Sequence, residues 1–222
     1  MMKKRIFTCL CVVLALSLTS DKLFSQDAKA EEVLKKVSDK ARTYESLEAS
    51  FSSTLEDKAI DLTATQNGSI LLSGEKFKLN IDEKYLVISD SKTLWNYGMD
   101  TGECMIENVS DIMEDQGIQP SEIFTIWEND FKKYYDSESS VGGKNCDVIK
   151  LVPVNPKDKP FHTIKVFIDQ SNLELVQAII YGKEGNNTTY TIETFKPNVS
   201  VSSGDFVFNK ADYPGVEMID NR

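Results

Sequence analysis

The stretch KFKLNIDEKYLVISDSKTLWNYGMDTGECMI, residues 76–106, decides the fold class of this chain. Short runs of alternating apolar and polar residues are separated by turn sequences, of which Asp100-Thr101-Gly102 is one. This pattern predicts antiparallel strands joined by hairpins. The large apolar residues of these strands are predicted to point mostly to one side of the sheet. They are Phe77, Leu79, Ile81, Trp95 and Tyr97.

The same alternation extends on both sides of that stretch. It begins after an amphipathic helix predicted over residues 30–44, in which Val33, Leu34, Val37 and Ala41 recur at helical spacing. Ten or eleven strands are predicted in all. They cover residues 47–55, 69–72, 76–81, 85–89, 93–97, 103–109, 145–152, 162–169, 175–181, 188–194 and 205–208.

An insertion interrupts the strand pattern between residues 110 and 135. Residues 111–116 are predicted to form a helical turn or two, and Ser121, after Pro120, is predicted to cap a short helix. The segment that follows is apolar nearly all round, which indicates that it covers other apolar surface. Strands, leading helix and insertion together predict a single α+β domain, mainly antiparallel β, over residues 26–222. The large apolar residues of the insertion are Ile123, Phe124, Ile126, Trp127 and Phe131.

The N-terminus is typical of a secretory signal, with Lys3, Lys4 and Arg5 ahead of a short apolar run. We predict a signal peptide over residues 1–25 and an exported mature chain. Removing that segment changes the count from 25 basic and 35 acidic residues to 21 and 34, a net charge of −13. This acidity argues against nucleic acid or an anionic membrane as a partner.

Few residues are suited to catalysis or metal binding. His162 is the single histidine of the chain, which removes most metal and triad chemistry, and we find no phosphate loop or nucleophile elbow. We therefore predict a protein that is not an enzyme and holds no metal and no cofactor. Outside the predicted signal there are two cysteines, Cys104 and Cys146, which either form one disulfide or remain free.

The aligned apolar residues have two interpretations. One is the ordinary core of a half-buried sheet covered by a single helix. The other follows from the width of the sheet: a wide sheet curls, and one helix with a short insertion covers less surface than such a sheet exposes. An apolar trough under an apolar lid would then bind lipid, because burying hydrocarbon gains about 25 cal/mol per Å².

Several segments, in order along the chain, give the sequence a resemblance to the outer-membrane lipoprotein carrier (LolA) family. The most specific is Ser89-Asp90-Ser91-Lys92-Thr93-Leu94-Trp95-Asn96-Tyr97, which is similar to the family's "s-D-G-k-t-l-W-x-Y". Residues 120–127 fall where the family places its lid helix. The other similar segments are Tyr44 to Phe51, Gly68 to Leu72, Lys76 to Leu79, Phe206 to Phe208 and Pro214 to Asp220.

This resemblance implies an unclosed, or half, β-barrel with a helical lid over an apolar concave face. It implies a monomeric periplasmic carrier that binds acylated lipoproteins released by an inner-membrane ABC transporter complex and passes them to an outer-membrane acceptor. One departure concerns the lid, because the family's latching arginine is absent from Leu72-Ser73-Gly74. The candidate lipid-binding residues are Phe51, Leu71, Phe77, Leu79, Ile81, Trp95, Tyr97, Ile123, Phe124, Trp127 and Phe131.

Two other functions stay open at this point. The same trough could bind a free lipid, a glycolipid or another small apolar ligand, as the missing arginine permits. A structural or adhesive protein with a filled core is the third alternative. The three differ in what the trough holds: acyl chains of a protein, a free ligand, or the protein's own side chains.

Overall fold

The computed structural model describes residues 27–113 and 123–222. It contains twelve strands in one sheet, one long helix and several short helical turns. The predicted signal peptide and the predicted helix cap at Ser121 lie outside the described residues. Within the described ranges, no helix is both long and apolar enough to cross a membrane.

The elements follow one another in this order: α1 (residues 27–41), β1 (Leu47–Asp57), β2 (Leu62–Ser73), β3 (Lys76–Ile81), β4 (Tyr85–Ser89), β5 (Thr93–Gly98), β6 (Glu103–Asn108), α2 (Val109–Met113), a 3-10 turn (Ile126–Glu128), β7 (Phe131–Val141), β8 (Lys144–Pro153), a 3-10 turn (Pro156–Asp158), β9 (Phe161–Asp169), β10 (Leu175–Gly182), β11 (Asn186–Pro197), 3-10 turns at Ser203–Phe206 and Lys210–Asp212, and β12 (Glu217–Asp220).

The strand order is β12-β6-β5-β4-β3-β2-β1-β11-β10-β9-β8-β7, so β12 and β7 lie at opposite edges and the sheet is open. Neighbouring strands are antiparallel except for β12, which runs parallel to β6. The predicted fold class, a mainly antiparallel and unclosed sheet with an N-terminal helix, is confirmed.

The strands of the structure differ from the predicted strands at three places. Strand β7 was missed because its sequence, FKKYYDSESSV, is strongly polar; charged side chains are common on edge strands, where they discourage pairing with other chains. The short edge strand β12 was also missed. Residues 205–208 were predicted as a strand. Instead, Ser203–Phe206 is a 3-10 turn, which begins after Ser202 with a capping box between Ser202 and Asp205.

Helix α1 packs on one face of the sheet, which we call the helix face. Its apolar residues Val33, Leu34 and Val37 meet the buried side chains of β8 and β9, and Trp127 completes this cluster. Directly paired residues of neighbouring strands point to the same side of a sheet. The strand register therefore shows which residues lie on the helix face in every strand from β7 to β6. The other side is called the opposite face.

The C-terminal residues cover part of the opposite face. Phe208 and Val216 pack against Leu86, Ile88 and other buried residues of β4 to β6. A second cluster on this face, around Val148 and Phe167, lies near the other edge of the sheet. The sheet therefore has cores on both sides, built by different parts of the chain.

Candidate functional site

An apolar surface on the helix face extends beyond the reach of α1. Cross-strand pairing joins Ile70 to Leu79 and Leu79 to Val87, and it joins Phe51 to Gly68 and Gly68 to Ile81. All five apolar side chains in these rows are only half-buried. We call Phe51, Ile70, Leu79, Ile81 and Val87 the apolar strip.

Exposed apolar residues continue the helix face around this strip. Leu62 pairs with Asp57, and Tyr85 pairs with Ile81, so both side chains point to the helix face. Met105 and Tyr190 reach the same face from β6 and β11. Between 37% and 50% of each of these four residues is exposed. The apolar surface is therefore open to solvent at its margins.

One end of the strip is closed by a buried cluster on the same face. Leu47, Leu72, Phe77 and Leu94 are each no more than 8% exposed. Phe124 packs against this cluster and also against the cluster under α1, and its ring meets that of Phe195 edge-on with centroids 5.9 Å apart. Burial thus decreases along β1 from Leu47 towards Phe51.

Residues 124–128, in the described part of the insertion, are fixed to α1 by polar contacts. The Ser38 hydroxyl donates to the backbone carbonyl of Phe124 at 3.1 Å, and the Trp127 indole N–H donates to Ser38 Oγ at 2.9 Å. Arg42 forms an ion pair with Glu128, with nitrogen and oxygen 2.5 Å apart. The hydrogen bonds from Arg42 lower the pKa of the Glu128 carboxyl. An arginine therefore does hold this segment, but it comes from α1.

The position of the absent family arginine has a different role. The hydroxyl of Ser73 donates to the backbone carbonyl of Glu45 at 3.2 Å, so it connects the end of β2 to the loop before β1. This contact is local to the two strands. It gives Ser73 no part in fixing the residues of the insertion that the structure describes.

Gly68 gives the strip its shape at the centre. A Cβ at this position would lie 2.5 Å from Cζ of Phe51, so the aromatic ring lies directly over the glycine backbone. A side chain there would displace the ring, because real Cβ contacts are longer. The ring of Phe51 therefore lies across the backbone of β2 at Gly68.

The predicted site residues are divided between several places. Phe51, Leu79 and Ile81 belong to the apolar strip, and Phe77 is buried in the cluster at its end. Of the residues predicted in the insertion, Ile123 is 41% exposed, whereas Phe124 and Phe131 are half-buried.

Trp127 was predicted as a lid residue and is instead 1% exposed in the cluster beneath α1. Phe131 stacks on Phe161 at a centroid distance of 6.3 Å, which places it on β7 at the margin of that cluster. The part of the predicted lid that the structure describes therefore consists of a turn at residues 123–125 and the 3-10 turn Ile126–Glu128.

The prediction that Trp95 and Tyr97 share a face with Phe77 and Leu79 is wrong. Trp95 pairs with Ile88, which pairs with Lys78, so it lies on the opposite face. The cause is the turn after β4. Asp90 Oδ1 accepts hydrogen bonds from the backbone N–H groups of Lys92 and Thr93, and the resulting register pairs Ser89 with Leu94.

Leu71 also lies on the opposite face, since it pairs with Lys78. Its neighbours Ile70 and Leu72 point to the helix face, and three consecutive apolar residues give no alternation from which a face can be chosen. Ile70 and Val87 are the strip residues that the sequence analysis missed. Both residues pair directly with Leu79, so they could have been found from it only if the register of β2, β3 and β4 had been known.

The opposite face carries two shallow cavities rather than an apolar strip. One, of about 480 Å³, lies between β3, β4 and the C-terminal residues, and its lining includes Lys78, Asp205 and Tyr213. The other, of about 330 Å³, is lined mainly by polar side chains that include Ser50, Lys78 and Thr194.

Cys104 and Cys146, for which the sequence left two states open, are free and fully buried thiols. They lie on β6 and β8, with eight strands between them in the sheet order. Burial raises the pKa of the Cys104 thiol to about 11. In the described part of the chain, no group of three or more histidine, cysteine or acidic residues is placed to hold a metal ion.

Comparison with known proteins identifies a matching family. The sequence model of the family described as "Outer membrane lipoprotein carrier protein LolA" matches residues 42–209. A search of curated proteins gave no match.

Among solved structures, an uncharacterized conserved protein from Thermus thermophilus has a similar fold, with a TM-score of 0.57 and 10% identity over 87% of this chain and 99% of the other. More distant similarities have TM-scores below 0.5. They include the lipoprotein LppX of Mycobacterium tuberculosis (0.49, 14% identity, 78% of this chain and 98% of the other) and a LolA superfamily protein of Nitrosomonas europaea (0.43, 12% identity, 81% and 97%).

Proposed function

The chain belongs to the LolA family, and we propose that it is an exported carrier whose apolar strip binds the acyl chains of lipoproteins. The carrier takes them from the inner membrane to the outer membrane. The observation that supports this proposal best is the apolar strip itself: five apolar side chains on paired strands that the rest of the described chain leaves half-exposed.

Binding in the strip needs no catalytic group. An acyl chain that buries a few hundred Å² of hydrocarbon gains several kcal/mol at about 25 cal/mol per Å². The open margins formed by Leu62, Tyr85, Met105 and Tyr190 let a chain enter without unfolding the sheet. The role of the protein is to shield the hydrocarbon from water during transfer, and the acidic surface keeps the complex soluble.

We propose two kinds of partner for the two ends of this transfer. An inner-membrane ABC transporter complex that releases lipoproteins supplies the cargo, and an outer-membrane acceptor receives it. The carrier is a monomer, a single domain over residues 26–222 with its signal peptide removed, and it acts in the periplasm.

Two neighbouring residues provide a matched test of acyl-chain binding. Ile70 and Leu71 are both half-buried on β2 and point to the helix face and the opposite face respectively. We expect Ile70→Asp to weaken binding of a synthetic triacylated lipopeptide about tenfold or more, because a charge is placed against hydrocarbon, whereas Leu71→Asp leaves binding unchanged. Titration with the lipopeptide, and with the same peptide lacking acyl chains, measures this.

Equal weakening by both substitutions, or equal binding of the peptide without acyl chains, contradicts the proposed site. The transfer role is tested separately by depleting the protein in cells. Lipoproteins are then expected to accumulate at the inner membrane, and an unchanged distribution between the membranes contradicts the carrier role.

The second candidate is a binder of free lipid or glycolipid, which the absence of the family's arginine at Ser73 permits. Native mass spectrometry of protein purified from its own cell envelope separates the two functions. A lipoprotein adduct supports the carrier, and a phospholipid, glycolipid or pigment adduct supports the second candidate.

A further inference from the structure

A row of polar side chains crosses the helix face beside the apolar strip. Ser53 on β1 pairs directly with Gln66 on β2 and with Tyr190 on β11. The row begins two residues after Phe51, a distance of about 7 Å along the strand. The ring centroids of Phe51 and Tyr190 are 6.3 Å apart. The polar row and the apolar strip therefore form one continuous surface.

The polar groups of this row differ from those on the opposite face of the same strands. There, the hydroxyls of Ser50 and Thr194 are bonded at 2.8 Å, and those of Thr54 and Thr65 at 3.0 Å. Within residues 27–113 and 123–222, the side chains of Ser53, Gln66 and Tyr190 form no hydrogen bond. These four hydroxyls of the opposite face are bonded to one another, whereas the three polar side chains of the row keep their donors and acceptors available for a ligand.

The chemistry of the row selects a class of ligand group. Two hydroxyls and one carboxamide supply donors and acceptors but no charge. Such a set suits an uncharged acceptor such as an ester or amide carbonyl. A carboxylate is less suited, because the row has no cation to offset the loss of its hydration. Acylated proteins and glycerolipids carry such carbonyls where the hydrocarbon begins.

We infer that the Ser53, Gln66 and Tyr190 row binds the ester or amide linkage of an acylated ligand, with its hydrocarbon lying on the apolar strip. This inference rests on the proposed function, because both use the same surface. It adds a direction to binding: the linkage lies towards the β1–β2 turn, and the chain extends towards Ile70 and Leu79. Ser53 and Tyr190 are then specificity-determining residues.

Two probes that differ only by a linkage test this inference. Methyl palmitate carries one ester, whereas octadecane carries none, and both are measured by displacement of an environment-sensitive apolar dye. For Ser53→Ala combined with Tyr190→Phe, which removes two hydroxyls and keeps the apolar surface, we expect methyl palmitate to bind about five- to fiftyfold more weakly. Octadecane binding is expected to stay unchanged.

The control is Thr191→Val, which removes a hydroxyl from the opposite face of β11, next to Tyr190; neither probe is expected to respond. Thermal unfolding of each variant establishes that it is folded. Binding of both probes by wild type with no selective loss in the double variant overturns the inference and leaves the proposed function standing. Failure of wild type to bind either probe overturns the proposed function, and the inference with it.

Discussion

The two faces of the sheet use the same strands but are covered to different extents. On the opposite face, the C-terminal residues pack over β4 to β6, where the Phe208 ring lies 5.4 Å from Tyr97 and 4.9 Å from Tyr213. On the helix face, α1 covers β8 and β9 and leaves the apolar strip half-exposed. The chain thus provides cover for one apolar surface and leaves the other available.

Under the proposed function, this difference explains how a small protein can hold hydrocarbon and remain folded. Buried clusters that do not include the strip stabilise the sheet on each face, so in the proposed role the strip exchanges ligands while these clusters stay packed. A protein that used its whole helix face as core would lose stability whenever the ligand site opened. Separating stability from binding in this way is testable by substitutions on the two faces.

The largest effects are expected from deleting buried aromatic rings. Trp127→Ala on the helix face and Phe208→Ala on the opposite face should each lower the free energy of unfolding by about 3–5 kcal/mol, because the side chains are 1% and 7% exposed. The double variant should show additive losses within about 0.5 kcal/mol, since the two residues belong to separate buried clusters. Urea unfolding measures all three, and strong coupling would contradict two independent faces.

A smaller effect is expected at Asp147, which anchors the start of α1. Its Oδ1 accepts hydrogen bonds from Tyr135 at 2.7 Å and Gln170 at 3.0 Å, and Lys29 Nζ lies 3.2 Å away. Asp147→Ala should lower the free energy of unfolding by about 1–3 kcal/mol, because Tyr135, Gln170 and Lys29 lose their shared acceptor and Tyr135 and Lys29 keep only the longer contacts to Glu138.

The same residue predicts a pH dependence. Burial acts to raise the pKa of the Asp147 carboxyl, but the hydrogen bonds from Tyr135, Gln170 and Lys29 outweigh it and lower the pKa below the ordinary 3.8. The stabilisation is therefore complete above that value and is lost as the pH falls through the lower folded pKa. The stability difference between wild type and Asp147→Ala should be constant near neutrality and shrink below about pH 4; an increase on acidification would contradict this assignment.

A still smaller effect is expected at Gly68, and it compares the two faces directly. Gly68→Ala forces the half-buried Phe51 ring to move and should cost about 1 kcal/mol. Gly204→Ala on the opposite face should cost close to nothing, because the nearest atom to its Cβ is 3.8 Å away. Thermal unfolding compares the two, and dye binding shows whether the strip is disturbed only by the first. Equal responses would mean that the Phe51 ring does not constrain Gly68.

The smallest effect is expected from a thiol reductant. Because Cys104 and Cys146 are free, adding the reductant should leave the midpoint of thermal unfolding unchanged. A disulfide between them would close a loop of about forty residues and contribute about 4 kcal/mol. A drop of several degrees on reduction would therefore contradict the free thiols.

Much of the fold could be predicted from alternation alone. The helix, the hairpins from β1 to β6 and the open antiparallel sheet follow from the spacing of apolar residues. That spacing extends over whole segments, so one exceptional residue does not change the prediction. Strand β7 was missed because an edge strand needs no apolar face. Residues 205–208 were misassigned because Phe206 ends a 3-10 turn and Phe208 lies in the irregular segment after it, yet both side chains are buried.

The site was less predictable than the fold because each residue's face depends on register. The Asp90 turn shifts the pairing of β5 so that Trp95 and Tyr97, the most conspicuous aromatic residues, belong to the opposite face. The run Ile70-Leu71-Leu72 is apolar throughout, so its sequence does not show which of the three residues lies on which face. Phe51, Leu79 and Ile81 share one face, which the sequence could indicate because polar residues alternate clearly on their strands; that they bind lipid stays a prediction.

The central claim is that hydrocarbon binds on the helix face and on no other part of the sheet. Methyl-labelled NMR with a spin-labelled palmitoyl lipopeptide tests it most directly. We expect the methyl signals of Ile70, Leu79 and Val87 to broaden first, while those of Leu71, Ile88 and Val176 on the opposite face stay sharp. Broadening of the second group before the first, or of both groups equally, would contradict the account.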